Sequence, residues 1–330
     1  MRFSIVTPAY NAGKYIEEML DSVRCQSLYD WELSIVDDGS TDDTRQIIEK
    51  AALDDPRIKP VFLDNNSGSC FFPRRVAIES SLGDYIVNID ADDIVERDYL
   101  YNLESSIRQT EADLVYADMY LFKDGESPVK FIPEDHDVYN HIYDGQSIFS
   151  KGLDKWEVSG VAATSRQLAI QSLQLFDTEF SLDRYCGSFE NENLTRLDLF
   201  LAERVAFAPA AYYYRQTLES VTHTLNLSRF ELLDADSKLC SFVLRYFGKY
   251  SEEYRLAHRQ MFHHVIELIR LLNKYPYFEG RREAVEITKR ISKEIDFKAI
   301  RPIVSPRYLA LMKRGYLFTK MVLGIYERKK

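Results

Sequence analysis

The amino-acid sequence predicts an α/β fold in which a mostly parallel sheet is flanked by helices and followed by a C-terminal helical extension. In the first half of the chain, short apolar runs rich in β-branched residues alternate with segments of helical periodicity. Because this alternation suits right-handed crossover connections, it favours a parallel sheet covered by helices. Polar loops follow the apolar runs, and in such sheets ligands bind at the carboxyl ends of the strands.

Four strands are predicted in the first part of the chain. They cover residues 3–7, 31–36 and 58–63 and the run that begins at Tyr85, and each is a short apolar run bounded by breaker residues. Three helices connect these strands, because apolar residues recur at helical spacing between them. The residues that mark these helices are Tyr15, Ile16, Met19, Leu20 and Val23 for the first, Ile47, Ile48 and Ala51 for the second, and the opening pair Arg74 and Arg75 for the third.

The pattern is weaker in the second half of the chain. A strand is predicted over 113–122, and the polar, aromatic segment 126–157 has so little periodicity that it suits an ordered loop. A strand is expected to return within 158–164, and an amphipathic helix follows Asn193. From Ser228 onward the apolar residues recur at helical spacing, which predicts a helical region.

The composition argues against several classes of protein, among them nucleic-acid-binding, disulfide-rich and membrane-spanning proteins. The chain has 330 residues, 45% of them hydrophobic and 28% charged, and a formal net charge of -10, which argues against general nucleic-acid binding. The four cysteines form no CxxC pair, so neither a zinc site nor a disulfide framework is expected. The N-terminus lacks a signal-peptide pattern, and no apolar run reaches the about 18 residues of a membrane helix. The sequence therefore predicts a cytoplasmic protein.

The strand that begins at Tyr85 ends in three carboxylates within four residues, Asp90, Asp92 and Asp93. Like charges this close repel one another, so a counterion or exposure to water must offset them. A divalent cation does so directly, since Mg²⁺ is usually held by one or two carboxylates and the oxygens of a substrate phosphate. The alternative is a solvated turn whose aspartates cap the next helix, which is expected to begin near Arg97.

Four polar loops follow the predicted strands, at residues 8–11, 37–41, 64–69 and 90–93. Because the carboxyl ends of parallel strands meet at one edge of the sheet, we expect these loops to converge there. The chain has neither a GxGxxG turn nor a GxxxxGK[ST] loop, which argues against a nicotinamide enzyme and a P-loop nucleotidase. The pattern instead favours a phosphorylated ligand held by carboxylates and a metal.

Four motifs, Val-Thr-Pro-Ala-Tyr-Asn at 6–11, Val-Asp-Asp-Gly-Ser-Thr-Asp at 36–42, Asn-Ser-Gly at 66–68 and Asp-Ala-Asp-Asp at 90–93, occur in this order. In that order and spacing the chain resembles a family 2 glycosyltransferase, a nucleotide-diphospho-sugar transferase with the Rossmann-like GT-A fold. The resemblance is strong over the first 120 residues and looser from residue 150 to residue 225. It implies inverting transfer of a sugar from a nucleotide diphosphate, usually with Mn²⁺ or Mg²⁺.

The resemblance also implies which residues bind the nucleotide sugar. The first loop and the end of the second strand cradle the base and ribose in the family. Tyr10 offers a flat face for a base or else belongs to the core. The carboxylate of Asp38 is suited to accept the imide N–H of uracil or thymine, or else its loop is a turn that caps a helix. The implied residues are Thr7, Pro8, Tyr10, Asn11, Asp37, Asp38, Gly68, Arg74, Asp90, Ala91, Asp93 and Arg215.

The implied metal ligands come from the DxD motif of the family. Its second carboxylate normally touches the metal, so Asp92 is the first ligand, and Asp90 holds the ribose or a metal-bound water. His223 is a further candidate, unless it is merely hydrogen-bonded in its loop. The pair Arg74 and Arg75 replaces the family's Ala-Arg-Asn, so either arginine is a candidate to pair with the diphosphate or the sugar, or both lie at a solvated helix start.

The family carries a Glu-Asp pair at the head of a helix, and one of the two carboxylates is the catalytic base. This chain has no such pair. Glu192, followed by Asn193, is the nearest match by its distance to Arg204, and Glu190 is the alternative. Either carboxylate would take the proton of the acceptor hydroxyl, unless both belong to an acidic turn that caps the helix.

The predicted organisation is a GT-A domain over 1–225 and a helical region over 226–330. Within the domain, residues 1–120 bind the nucleotide sugar and residues 121–225 face the acceptor. The tail from Lys298 is basic and aromatic in an acidic chain, which indicates either a helix on a membrane surface or a helical bundle or dimer face.

The sequence therefore predicts a metal-dependent, inverting hexosyltransferase that uses a nucleotide diphosphate sugar, with a lean to UDP. The acceptor is expected to be a saccharide or lipid-linked saccharide of cell-surface polysaccharide or glycolipid synthesis. The protein would lie in the cytoplasm, with peripheral contact to the inner face of the membrane or a homo-oligomer through the helical region. One rival is a binding protein that has lost the base; another is a nucleotidyltransferase, which would need a Gly-, Arg- or Lys-rich loop after the first strand.

Overall fold

The computed structural model describes residues 2–131, 138–153, 161–180, 189–216 and 226–304. The chain forms two compact units. One consists of Met1–Gly152 and Trp156–Thr217, and the other of Leu153–Lys155 and Leu218–Lys330. The first unit contains a sheet with helices, whereas the second is helical throughout its described part, so the predicted α/β fold with a C-terminal helical extension is confirmed.

One nine-stranded sheet runs through the described part of the first unit. Its strands are β1 (Phe3–Ala9), β2 (Trp31–Asp37), β3 (Ile58–Phe62), β4 (Tyr85–Asn88), β5 (Ile94–Val95), β6 (Leu114–Phe122), β7 (Val129–Lys130), β8 (Ala162–Ser165) and β9 (Val205–Arg215). Their order is β3-β2-β1-β4-β8-β6-β9-β5, with β7 paired to β6. Strands β1 to β4 are parallel as predicted, and β9 is parallel to β6, whereas β8 is antiparallel to both β4 and β6.

Helices connect and cover these strands. In the first unit they are α1 (Ile16–Arg24), α2 (Thr44–Asp54), α3 (Phe71–Ser80), α4 (Tyr99–Thr110), α5 (Gly145–Gly152), α6 (Arg166–Glu179) and α7 (Glu190–Leu201). In the second unit they are α8 (Leu232–Phe247), α9 (Glu252–Lys274), α10 (Arg281–Ser292) and α11 (Phe297–Ile300). A short 3₁₀ turn, Val138–Asn140, lies between β7 and α5.

The core of the first unit forms where apolar strands meet apolar helix faces. Strands β1 and β2 are buried at every position, as expected for parallel strands covered on both faces. Helix α1 buries Ile16, Met19, Leu20 and Val23, which recur at helical spacing and so share one face. Each side chain of this size contributes about 1.5–3 kcal/mol when fully buried, which fixes the helix on the sheet.

Helix α5 corrects the prediction of a loop over 126–157. Its stretch of sequence has only two large apolar residues, and it is helical because it packs against α7. Phe149 meets Phe200 with ring centroids 5.6 Å apart. Gly145 allows the close approach, since a Cβ there would lie 2.3 Å from Ala202 O. Tertiary packing therefore overrides the weak periodicity.

The second unit is held together by amphipathic helices. Helices α8 and α9 pack through buried residues such as Leu239 and Val265, and α10 and α11 both contact α9. Ser251 caps α9, because its Oγ accepts a hydrogen bond of 3.0 Å from Tyr254 N–H. Within the described ranges, none of the helices combines the length and hydropathy needed to cross a membrane. Most of the basic, aromatic tail, residues 305–330, lies outside the described residues.

Candidate active site

Asn11 joins the first two polar loops at the edge of the sheet. Its backbone N–H donates to Ser40 Oγ at 2.9 Å, and its Oδ1 accepts from Thr41 N–H at 2.9 Å. Asn11 has a φ of 47°, in the left-handed region that asparagine tolerates better than most residues. The side chain is thus used to connect the loops after β1 and β2, and its contact with a nucleotide stays a prediction.

The second and third loops meet at Asp38. Its Oδ1 accepts from Ser67 N–H at 2.9 Å and its Oδ2 from the Ser67 hydroxyl at 2.8 Å. Gly39 permits this approach, because its φ is +70° and a Cβ there would lie 2.7 Å from the backbone of Asn65 and Asn66. Each carboxylate oxygen of Asp38 has a further lone pair, so an additional N–H donor fits here.

Asp37 has a different environment from its neighbour. It is fully buried, and its Oδ2 accepts from Arg45 Nε at 3.2 Å while its Oδ1 accepts from Ser40 N–H at 3.3 Å. Arg45 also donates to Leu63 O at 3.1 Å, so the pair ties β2 to α2 and to the residue after β3. The N-cap residue of α2 is Asp43, so the alternative that this loop caps the helix is wrong. Nucleotide contact by Asp37 stays a prediction.

The remaining residues of the first loops lie at the same edge. The Thr7 hydroxyl is buried and donates to Ile89 O at 2.8 Å. This hydrogen bond connects β1 to the residue that precedes the carboxylate cluster, which consists of Asp90, Asp92 and Asp93. Tyr10 is 47% exposed, so the alternative that it belongs to the core is wrong and its ring is accessible to a base. Pro8 lies within β1, and Gly68 is exposed with a φ of +79°.

The two neighbouring arginines of α3 face different partners. Arg74 Nη2 donates to Asp90 Oδ1, whereas Arg75 forms a bidentate pair with Asp177 of α6, with Nη2 2.8 Å from Oδ2, and also bonds Glu79. Burial lowers the pKa of Arg74, but the charge and hydrogen bond of Asp90, together with Cys70 and Tyr212, outweigh it, so the net shift is upward and the guanidinium stays charged. Within the described ranges, Arg74 Nε is buried without a hydrogen-bond partner. Of the two arginines, Arg74 is the one that reaches the carboxylate cluster.

Three carboxylates lie close together in the cluster of Asp90, Asp92 and Asp93, and their mutual repulsion is only partly offset. Burial, and then the charge of Asp90, raise the pKa of Asp92 to about 6. Burial and the charges of both neighbouring aspartates raise the pKa of Asp93 well above its ordinary value. Ala91, between them, is buried. Helix α4 begins at Tyr99, beyond β5, and has Asp98 as its N-cap residue, so the alternative that this cluster caps the next helix is wrong.

The end of β9 holds the turn from Asp90 to Asp93. The Tyr212 hydroxyl donates to Asp93 Oδ2 at 2.6 Å and accepts from Asp90 N–H at 3.1 Å. Arg215 N–H donates to Asp93 Oδ1 at 2.8 Å, and Arg215 Nε donates to Asp92 O at 2.9 Å. Both oxygens of Asp93 are thus engaged within the protein. Burial, and then the charges of Asp93 and Asp90, raise the pKa of Tyr212 well above its ordinary value, so the hydroxyl remains a donor.

The guanidinium of Arg215 is used within the protein. Besides the carbonyl just described, it donates to Glu18 of α1 at 2.5 Å and to Asp124 in the turn after β6. The rings of Tyr15 and Phe122 lie 4.9 and 4.7 Å from the guanidinium carbon. These contacts join the carboxylate turn to α1 and to the β6–β7 connection. Binding of a diphosphate or an acceptor by Arg215 stays a prediction.

The residues present fit a divalent cation that is shared with a diphosphate. Among the residues that the structure describes, no group of three or more His, Cys, Asp or Glu side chains is arranged to hold a metal. A site of this kind needs fewer, because one or two carboxylates and the phosphate oxygens suffice. Asp92 meets that need: in the described ranges its carboxylate forms no hydrogen bond or ion pair with another residue, and the charge of Arg215 only partly opposes its raised pKa. The side chain of Asp90 beside it is 42% exposed. His223 lies outside the described residues.

The two candidate bases occupy the first turn of α7. Glu190 is 3% exposed, whereas the Glu192 side chain is 42% exposed and its Oε2 lies 3.6 Å from Arg196 Nη1. Between them, Asn191 Nδ2 donates to Cys70 Sγ at 2.9 Å, at the N-terminus of α3. The head of α7 therefore contacts the helix that carries the site arginine. Because both glutamates are helical they point in different directions, and Glu192 has the more open access.

Sequence reasoning missed several residues that shape the site. Ser67 belongs to the Asn-Ser-Gly motif at 66–68, but the family resemblance implies a role only for the glycine after it. Tyr212 belongs to the Tyr-Tyr-Tyr-Arg run at 212–215, in which the family resemblance implies a role only for the arginine. No local signal marks Glu18 or Asp124, because each is paired with Arg215, which lies 197 and 91 residues away in the sequence.

Comparison with known proteins places the chain in a family. Residues 4–171 match the family model described as Glycosyl transferase family 2. Glycosyltransferase GlyG of Streptococcus pneumoniae is 26% identical over 223 residues, which are 67% of this chain and 73% of GlyG. The poly(ribitol-phosphate) beta-N-acetylglucosaminyltransferase TarS of Staphylococcus aureus is 35% identical over 121 residues, 36% of this chain but only 21% of TarS. The crystal structure of TarS 1-349 with UDP-GlcNAc is similar, with a TM-score of 0.67, 20% identity, and coverage of 91% of this chain and 83% of that one.

Proposed function

Because the chain belongs to glycosyl transferase family 2 and has the GT-A fold, we propose that it is an inverting glycosyltransferase that uses a UDP-sugar. Solved structures of TarS contain UDP-GlcNAc and UDP, which supports a uridine diphosphate donor here. The observation that carries the proposal is the Arg74–Asp90 pair beside the unpartnered carboxylate of Asp92, at the edge where the loops after β1, β2 and β3 converge.

In this proposal the loops bind the donor from the base to the diphosphate. Asp38 accepts the imide N–H of uracil with a lone pair that Ser67 leaves available, and the exposed ring of Tyr10 lies against the base. Arg74 directs its remaining N–H groups at the diphosphate, where guanidinium-phosphate hydrogen bonds are strong. The buried, unpartnered Nε of Arg74 supports this role.

We further propose that Asp92 binds Mn²⁺ or Mg²⁺ together with the diphosphate, with Asp90 close to the same ion. The ion supplies charge neutralisation for the departing diphosphate. The raised pKa of Asp92 supports this assignment, since its cause is burial beside a like charge, which a cation relieves. Asp93, which is fully buried, holds the turn in place through the hydrogen bonds that it accepts from β9, and its contact with the donor sugar stays a prediction.

The proposed reaction is a direct displacement. The acceptor oxygen forms a bond to the anomeric carbon while the bond from that carbon to the diphosphate oxygen breaks, and UDP leaves with the electron pair. Glu192 takes the proton of the acceptor hydroxyl as general base. Its exposure supports this choice over Glu190, which is enclosed in the first turn of α7.

The acceptor is proposed from relatives alone. TarS is named for transfer to poly(ribitol-phosphate), a polymer with free hydroxyls, and the match covers a short part of TarS. We therefore propose a saccharide or lipid-linked saccharide acceptor in the synthesis of a cell-surface polymer, with the transfer step on the cytoplasmic side. The helical region would supply contact to the membrane or to a second copy of the chain.

Calorimetry against UDP, GDP, CDP and TDP, each with and without Mn²⁺, tests the donor assignment. We expect UDP to bind in Mn²⁺ and the Asp92→Asn variant to lose that binding while remaining folded. Equal affinity of wild type and variant for UDP in Mn²⁺ contradicts the metal assignment. Preference for GDP, CDP or TDP over UDP contradicts the assignment of a uridine diphosphate donor. Binding of UDP-sugars without release of UDP, alone or with an acceptor, indicates the binding protein named above as a rival.

A further inference from the structure

The Tyr212 hydroxyl is placed between the two ends of the carboxylate turn. It donates to Asp93 Oδ2 at 2.6 Å and accepts from Asp90 N–H at 3.1 Å. Within the turn, Asp93 N–H also donates a backbone hydrogen bond of 3.1 Å to Asp90 O. The buried hydroxyl oxygen of Tyr212 thus forms hydrogen bonds with both Asp90 and Asp93, the first and last residues of the turn that contains Asp92.

The position of Tyr212 is fixed independently of the turn. The residue is 2% exposed, lies in the long strand β9, and pairs in register with Met119 of β6 and Val95 of β5. Its ring lies 6.2 Å from the ring of Tyr99 of α4. A hydroxyl held by strand pairing and ring packing has little freedom to move, so its two hydrogen bonds restrain the turn rather than follow it.

We propose that Tyr212 is a positioning residue whose hydroxyl fixes the Asp90–Asp93 turn in the conformation that presents the Asp92 carboxylate to the donor. This inference rests on the proposed function, because it assigns Tyr212 to the same donor site. Tyr212 touches no reacting group. It acts through the Asp90 backbone and the Asp93 side chain. Removal of the Tyr212 hydroxyl therefore leaves the carboxylates of Asp90 and Asp92 near the site but in a less restrained turn.

Tyr212→Phe isolates the hydroxyl, because the ring and its packing remain. The variant leaves Asp90 N–H and Asp93 Oδ2 without their shared partner, and groups that support a metal ligand typically change affinity by about 10–100-fold when removed. Tyr99→Phe is the matched control. Within the described ranges the Tyr99 hydroxyl is buried without a partner, in the same ring pair, so its removal breaks no contact with the turn.

Two measurements on the full chain test the proposal. Hydrogen exchange followed by mass spectrometry reports the amides of residues 88–95 without any ligand, and calorimetry reports UDP binding in Mn²⁺. We expect Tyr212→Phe to exchange faster than wild type at the Asp90 amide and to bind UDP about 10-fold more weakly or worse in Mn²⁺. Tyr99→Phe should match wild type in both measurements.

The outcomes separate this proposal from the proposed function. Unchanged exchange in Tyr212→Phe overturns the restraint on the turn, and faster exchange with unchanged UDP affinity overturns the positioning role. Equal loss of UDP affinity in Tyr99→Phe also overturns it, because the effect then comes from ring packing. If wild type binds no UDP in Mn²⁺, the proposed function fails, and faster exchange confined to Tyr212→Phe still supports the restraint on the turn.

Discussion

The guanidinium of Arg74 donates to the carboxylate of Asp90, whereas the next residue of the same helix, Arg75, points in a different direction and contacts Asp177 of α6. In the proposed function, this difference separates the arginine that binds the diphosphate, Arg74, from a structural one, Arg75. Arg74→Gln should weaken UDP binding in Mn²⁺ by about 10–100-fold, the scale of a lost hydrogen bond to a charged group. Arg75→Gln is the control, since its contacts with Asp177 and Glu79 lie outside the site. Calorimetry that ranks the two variants in the reverse order would assign the diphosphate to Arg75.

Glu192→Gln and Glu190→Gln form a second pair of variants. Loss of a general base should reduce transfer by about 10²-fold or more in Glu192→Gln, with donor affinity unchanged, since the amide cannot take the proton. Glu190→Gln replaces an enclosed side chain and should affect thermal stability more than turnover. The measurements are the rate of UDP release with acceptor present and the midpoint of thermal unfolding. Full turnover in Glu192→Gln together with loss in Glu190→Gln moves the base two residues towards the N-terminus.

Asp198 of α7 predicts a pH dependence of stability. Burial raises its pKa to about 7, and the nearby hydroxyl of Ser172 of α6 only partly opposes the shift. The folded state therefore holds the Asp198 proton more tightly than the unfolded state does. The contribution of this proton to the free energy of unfolding is fully present below about pH 4 and is lost as the pH rises towards 7. The largest loss in the free energy of unfolding from this group is about 4 kcal/mol, because each unit of pKa difference between the folded and unfolded states corresponds to about 1.36 kcal/mol.

Asp198→Asn should remove that loss. We expect the free energy of unfolding of the variant, relative to wild type, to rise by about 2–3 kcal/mol between pH 5 and pH 8 in urea titrations. A difference between variant and wild type that is constant over this range would show that Asp198 keeps an ordinary pKa in the folded protein. Comparison at each pH cancels the titration of other groups.

The parts of the fold that were predictable depend on local patterns. Strands β1 and β2 are buried along their whole length and are followed by polar loops, and both features are visible within a few residues. The side of α3 that faces the site was not predictable. Successive helix positions differ by about 100°, so the choice between Arg74 and Arg75 depends on how the buried residues Phe71 and Ile78 pack.

The contacts that hold the carboxylate turn were beyond sequence reasoning for a different reason. Tyr212 and Asp93 are 119 residues apart, and β9 reaches the turn because it pairs with the two-residue strand β5 directly after the turn. A strand this short has no periodicity to detect. Long-range pairing therefore decides which polar residues are available to a ligand and which are used by the protein.

The structure determines where the C-terminal tail can be truncated without removing buried residues of the second unit. A truncation at Lys298, where the basic tail begins, would remove Ile300, which is fully buried in the second unit, and Val304, which is nearly so. Deleting residues 305–330 leaves both in place. The deleted segment carries seven basic residues and one acidic residue among aromatic and aliphatic ones, in a chain whose formal net charge is -10.

We expect the truncated chain to keep its affinity for UDP in Mn²⁺ and to lose binding to anionic phospholipid vesicles. Each basic residue near such a surface contributes about 1 kcal/mol at most, so removal of seven should reduce partitioning by more than about 100-fold at low salt. Vesicle sedimentation measures this, with neutral vesicles as the control. If vesicle binding is unchanged but light scattering shows a smaller assembly, the tail is an interface between copies of the chain. Loss of UDP affinity on truncation would contradict separate roles for the tail and the donor site.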